Sequence, residues 1–302
     1  MRRPRSRDVA PATWWRGWAA RLVAVSLLLL AATAAEAREQ GASGSALGVG
    51  DAVHSTAVGP AAVFFNPAGL HQFIQYAIET GYQFDQPYGG HVFAASAADS
   101  ASNQWVAMGT TYSYFFGHEL ATDESRRGHS FRVAAATGFR GESYSLHLGT
   151  TYRYMQIDVG DSGKSVAHSM DVGALITVKG LFRFGITGHN LIPTGLSEAP
   201  RQLGMGVSVF YQNFLGAFDA VLDFDSKVGK TDANLHVGLE YAIAGIVPLR
   251  LGYIADRIGG THYVTGGIGY VSKYVAVDFG FRQSVIDGKD NLFSLNVRAF
   301  IP

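Results

Sequence analysis

Val63-Phe64-Phe65-Asn66-Pro67-Ala68-Gly69-Leu70 is where this 302-residue chain changes character. Upstream lie an apolar leader and a stretch of small residues without a period. Downstream, apolar and polar residues alternate in about fourteen short runs to the last residue, a period-2 pattern that marks strands with different surroundings on their two faces. Asn66-Pro67-Ala68-Gly69 suits a tight turn, because proline fixes φ and glycine supplies the positive φ that such turns often need. These four residues are expected to form the hinge between an inserted plug and a wall.

Toward the C-terminus the wall is read strand by strand. Phe293, Leu295, Val297, Ala299 and Ile301 alternate with Ser294, Asn296, Arg298 and Phe300; Val275, Val277, Phe279 and Phe281 alternate with Asp278, Gly280 and Arg282. The expected strands are 72–83, 90–97, 105–116, 129–139, 142–157, 166–178, 181–190, 201–212, 214–225, 233–243, 247–255, 262–271, 274–284 and 291–301. Very short connections (140–141, 179–180, 213, 272–273) alternate with longer polar ones such as 117–128, 158–165 and 191–200. That is the pattern of a barrel with short periplasmic turns and longer outer loops. A water-soluble sandwich would share the alternation. Tyr and Phe, however, gather at the ends of runs, as in Tyr112, Tyr114 and Phe116, Tyr152 and Tyr154, and Tyr270 and Tyr274, where an aromatic girdle meets lipid headgroups.

Parity then assigns the lumen. Glu79, Asp171, Asp219, Asp223, Glu240 and Asp278 point inward with Arg132, Arg153, Arg183, Arg250, Arg282 and Arg298. Such groups must pair or stay hydrated, since an unpaired ion away from water costs several kcal/mol. Gly149, Gly173, Gly185, Gly204, Gly206, Gly238, Gly267 and Gly280 share that face, and their missing side chains let a plug's backbone approach closely. A charge lattice holding a plug is favoured over an open polar conduit.

Toward the N-terminus, 38–62 is rich in Gly, Ala, Ser and Val and fits a compact coil with one helical turn near 51–57, capped by Asp51. Gly48-Val49-Gly50 lacks the lysine and preceding strand of a phosphate loop. Residues 1–37 carry six Arg, the apolar run Leu22 to Ala34 and Ala35-Glu36-Ala37, an export signal with cleavage expected near Ala37. Without them 18 basic and 22 acidic residues remain, a net charge of −4, which gives no electrostatic case for nucleic acid. The chain has no cysteine, so thiol catalysis and thiolate metal sites are excluded. After the leader no apolar run approaches the length of a membrane helix, so any membrane entry is as a barrel.

Phe64-Phe65-Asn66-Pro67-Ala68-Gly69-Leu70, preceded by Gly48, Gly50 and Asp51, resembles the N-terminal hatch of FadL-type and PorV-type outer-membrane proteins. Gly188-His189-Asn190-Leu191 with Pro200-Arg201-Gln202-Leu203-Gly204, and Leu239-Glu240-Tyr241 with Leu249-Arg250-Leu251-Gly252-Tyr253, resemble the PorV-like branch. The resemblance implies an all-β, transmembrane antiparallel β-barrel of about fourteen strands with a hatch in the lumen. Its divisions are a signal peptide at 1–37, a hatch at 38–70 and a barrel at 71–302 in a Gram-negative outer membrane. Little chain remains for large outer loops.

The ten His are dispersed, none at paired metal spacing on one strand, and no Gly-x-Ser-x-Gly elbow occurs. No enzyme activity, cofactor or metal is expected, and His147, His189 and His236 read as solvated lumen wall. Two function classes remain. One is a hatch-gated passive transporter for small, hydrophobic molecules, as the FadL type implies. The other is a non-enzymatic scaffold for a secretion system or its cargo, as the PorV type implies. The expected partners are outer-membrane lipid, the barrel-assembly machinery, and a small hydrophobic ligand or a secretion-system component.

Overall fold

Alternation of this kind forces a sheet with two chemically different faces, and closing that sheet removes its edges. The computed structural model describes residues 43–86, 89–118, 125–160, 163–196, 198–226, 232–286, 288 and 290–301. The leader, its expected cleavage site and residues 38–42 lie outside them. The strands are β1 (Tyr76–Asp85), β2 (Gly90–Asp99), β3 (Val106–His118), β4 (Ser125–Arg140), β5 (Tyr144–Val159), β6 (Gly163–Val178), β7 (Phe182–His189), β8 (Gln202–Tyr211), β9 (Phe214–Asp223), β10 (Asp232–Ile243), β11 (Val247–Asp256), β12 (Thr261–Val271), β13 (Val275–Ser284) and β14 (Asn291–Ile301). They form one closed antiparallel barrel in sequence order. β14 closes on β1 from Tyr76↔Ile301 to Asp85↔Leu292.

Side chains sort as period 2 demands. Leu295, Val297 and Phe293 are exposed on the outer face while Ser294 and Asn296 are buried inside. No helix among the described residues is long and apolar enough to cross a membrane. Both strand ends, β1's start and β14's finish, lie on one rim with the connections 100–105, 141–143, 179–181, 212–213, 244–246 and 272–274. The far rim carries the rest, the longest being 190–201 between β7 and β8.

Several expected boundaries move. β4 begins at Ser125 and β5 and β6 run on to within three residues of each other, so half of the expected loop 117–128 and most of 158–165 are ladder. Arg127 pairs across from Asp158, and Asp158 from Lys164. Polarity there reports that the strands have left the hydrocarbon, not that the ladder has ended. β1 starts four residues late because the chain first completes a 3₁₀ helix, Pro67–His71. Ser100 then pins its entry through bonds to Gln75. The connection expected between strands 90–97 and 105–116 is a six-residue turn, 100–105, in which Asp99 and Asn103 side chains accept from following backbone amides.

On the outer face the far-rim hairpins carry Tyr–His pairs: Tyr82–His91, Tyr112–His129, Tyr152–His168 and Tyr253–His262, with Tyr Oη within 2.5–2.8 Å of Nδ1. Tyr82 lies in register with Tyr114 through Phe93, yet the paired tyrosine on β3 is Tyr112, two positions nearer the terminal rim. Tyr112 is likewise in register with Tyr154, and the paired residue is Tyr152. Stepping back about 6.6 Å along the strand for about 9.6 Å across it is the slope of a strand tilted by about 35°. The pairs therefore run at constant depth around the wall.

Candidate functional site

Inside the barrel, residues 43–71 fold as a hatch. Its first helix, α1 (Gly44–Gly48), is capped by Ser43, whose hydroxyl accepts from the Ala46 amide. The expected helical turn at 51–57 is a single turn in which the Thr56 and Ala57 amides donate to Val53 O at 3.0 and 2.8 Å, but Asp51 does not cap it and takes a left-handed φ of 55° just after α1. Ala46, Val49, Val53, Ala57 and Phe65 form the hatch's own apolar core. α2 (Ala62–Phe65) follows, and Val63 and Leu70 pack on the small residues Ala98, Ala107, Ala134 and Ala136 of β2, β3 and β4.

Asn66 is the hub of the Asn66-Pro67-Ala68-Gly69 segment. Its Oδ1 accepts from the Ala68 amide at 3.2 Å, starting the 3₁₀ helix, while Nδ2 donates to His54 O at 2.8 Å and to Ala174 O of β6 at 3.2 Å. Gly69 does not take the positive φ expected of it. Its role is close approach, since a β-carbon there would run into the Ala57 carbonyl.

Inward glycines form the seat. A β-carbon on Gly149 would sit 2.5 Å from Ala68 N, one on Gly206 2.9 Å from Ser55 N, and one on Gly280 3.1 Å from Gly48 N. Side-chain donors finish the anchoring: Thr265 donates to Gly48 O at 3.1 Å, a His236 ring nitrogen lies 2.8 Å from Gly50 O, and Arg140 donates to His71 O.

All twelve charged residues assigned to the lumen by parity lie on that face, ten of them buried and Glu240 and Arg298 half-buried. They form separate groups. Arg250 bridges Glu240 at 2.5 Å and Asp278 at 2.7 Å. Arg298 Nε donates to Glu79 at 2.6 Å. Arg282 reaches Asp290 at 3.4 Å and covers the Tyr263 ring. Arg183 lies over Phe210 near the terminal rim, 3.8 Å from the ring centre. Asp223 is tied up in a far-rim turn, accepting from Asp225 and Ser226 amides. Arg132, which stacks on Phe64, Arg153, Asp171 and Asp219 gather on the opposite side from the Arg250 triad.

There the hatch and wall leave a cavity of about 210 Å³, lined by Asp51, His54, Phe64, Phe65, Arg132, Arg153, His189, Gln202 and His236 among others. Its roof is the 190–201 connection. β7 pairs with β6 only from Val172 to Val178; beyond that, the ladder gives way to Leu191 N donating to Met170 O and Ser169 Oγ to Ile192 O, both at 2.8 Å, and to an Arg126–Glu198 ion pair.

His147 and His189 are not solvated wall. His189 meets His54 of the hatch, Nε2 to Nε2, at 3.2 Å, and the fully buried His147 meets His71, Nδ1 to Nδ1, at 3.1 Å. His54 also binds Asp219 through its ring and its backbone amide. Neither His54 nor His71 stands out in sequence. The available signal was inward parity at His147 and His189 beside inward glycines. Among the described residues no group of three or more His, Asp or Glu is placed to hold a metal.

No family model matches the chain, and no curated protein matches its sequence. Solved structures do match. The CymD monoaromatic hydrocarbon channel superposes with a TM-score of 0.60 at 14% identity over 84% of this chain and 97% of that one. A Pseudomonas aeruginosa FadL homologue gives 0.62 at 11% over 89% and 99%. The Pseudomonas putida toluene transporter TodX gives 0.56 at 12% over 88% and 98%. At these identities the likeness is one of fold: this chain has the fold of FadL-type outer-membrane barrels.

Proposed function

We propose that this protein is a hatch-gated passive transporter of small hydrophobic molecules, working in the outer membrane of a Gram-negative cell after signal cleavage near Ala37 and insertion by the barrel-assembly machinery. The observation that carries it is the hatch itself. Residues 43–71 fill the lumen yet leave a cavity on one side, lined in part by Phe64 and Phe65 and roofed by the 190–201 connection, where the β6–β7 ladder has ended. That the fold is shared with a monoaromatic hydrocarbon channel and a toluene transporter supports the same reading. The Asn66–Gly69 segment is the hinge in this reading, and the twelve lumen charges are its fixed frame. Compact far-rim connections favour the scaffold alternative, since they leave little material for a ligand groove.

Uptake decides between the two. Cells expressing the full chain should take up toluene faster than vector controls, and a Ser169→Cys/Ile192→Cys disulfide across the roof should slow uptake until reduced. Uptake equal to the control in both would end the transporter reading and leave the scaffold.

A further inference from the structure

Two imidazole pairs join hatch to wall, and they need different numbers of protons. In the pair nearer the terminal rim, His71 Nε2 lies 3.0 Å from the Gln104 carbonyl. A carbonyl only accepts, so that nitrogen carries the hydrogen. His71 Nδ1 is then the acceptor for His147 Nδ1, and two neutral rings satisfy both links.

The pair at the cavity differs. Three links run in series: Asp219 Oδ2 to His54 Nδ1 at 2.8 Å, His54 Nε2 to His189 Nε2 at 3.2 Å, and His189 Nδ1 to Asp171 Oδ2 at 3.5 Å. An ionised carboxylate only accepts, so each link needs one hydrogen on a ring nitrogen. Three are required, and two neutral imidazoles bring two. With both rings neutral one link has no hydrogen; with both charged, two N–H groups meet head-on. One added proton, shared by the two rings, satisfies every link.

We propose that His54 and His189, flanked by Asp219 and Asp171, form a proton-binding site whose single shared proton latches the hatch to β7 and β9. A metal ion fits less well. The ring centroids are 5.4 Å apart for nitrogens 3.2 Å apart, so the rings point nearly straight at each other. A metal between such rings would hold the nitrogens about 4 Å apart.

The surroundings set the balance. Asp51 of the hatch and Glu198 of the roof face the cavity, as do Arg132 of β4, Arg153 of β5 and His236 of β10. The two directly bonded carboxylates hold the proton, and the guanidinium groups oppose it. Histidine is the side chain whose unperturbed charge change falls between about pH 5 and 8, which sets the range over which the latch is tested. Acid disturbs both pairs, because a proton added to His147 must go on Nε2, which has no acceptor, with Arg140 and Arg183 facing it. Alkali disturbs only the His54–His189 pair.

The site rests on the hatch being the part that moves, but its proton count does not depend on what is transported. The test is hydrogen exchange of the full chain in nanodiscs from pH 5 to 9, corrected for intrinsic rates. Protection of 53–58 should pass through a maximum within this range and fall at least tenfold on both sides; that of 68–72 should fall only in acid. His189→Gln should flatten the alkaline arm at 53–58 and leave 68–72 unchanged. Flat profiles, or the same profile at both ends of the hatch, would overturn the proposal. Should the variant lose heat-modifiable gel mobility, ¹⁵N imidazole spectra of the unmodified protein at pH 7 decide: three ring protons on His54 and His189 support the site, and two sink it. Stoichiometric bound metal whose removal reproduces the alkaline change would also refute it. Failed toluene uptake would leave each of these readouts standing.

Discussion

The two halves of the lumen hold the same hatch by different means. Along β10–β14, α1 lies backbone to backbone on Gly267 and Gly280, and Arg250, Glu240 and Asp278 close into a triad beside it. Along β4–β9, glycines such as Gly149 and Gly206 also seat the hatch, but the His54–His189 and His71–His147 pairs are added to that contact, a cavity remains, and the wall above it is a loop. Bare backbone packing leaves no adjustable part, whereas imidazole contacts can be made or lost with one proton. On the proposed gating, the first half anchors the hatch and the second lets it go.

Three experiments press on that contrast, the largest effect first. Deleting Gly44–Gly59 removes α1 and His54 together while leaving the wall's ladder intact. Single-channel conductance in planar bilayers should rise from a closed baseline, with heat-modifiable mobility retained; a silent barrel would mean that wall side chains alone fill the lumen. Arg250→Ala strikes only the anchoring half. It strands two carboxylates against the hatch and should cost about 3–5 kcal/mol, read as a lowered urea midpoint; an unchanged midpoint would show the triad to be solvated in practice. Asn66→Ala removes the cap and the links to His54 and β6 and should cost about 1–2 kcal/mol. Faster exchange should then appear around His54 and spare α1. Equal loosening of α1 would erase the distinction between the halves.

What could be read from sequence follows the same division. Inward parity at Glu79, Arg250 and Asp278 is a local property, because side chains alternate whatever the partner strand, and register then sets Glu240 opposite Arg250 and Glu79 opposite Arg298. The His54–His189 and His71–His147 contacts span 135 and 76 residues and depend on how a segment without period coils inside the wall. No pattern along the chain encodes that. The glycines came closest, since Gly185 and Gly204 reserve the space that the His54 backbone and ring occupy. The strand ends near Arg127 and Lys164 were misjudged for the opposite reason: polarity along a strand changes where the solvent changes, and the ladder continues past that point.

The ring of Tyr–His pairs works as a waterline. Rings with an apolar body and a polar tip settle at the headgroups, so the barrel's draught is set by those residues and not by strand length. Whatever a strand adds beyond the ring becomes freeboard. β4, β5 and β6 are the longest at sixteen residues each, and their inward Arg132, Arg153 and Asp171 line the cavity. The protein thus rides highest on the side where its hatch is least firmly moored, and a molecule approaching that berth meets a palisade of protein before it meets the membrane.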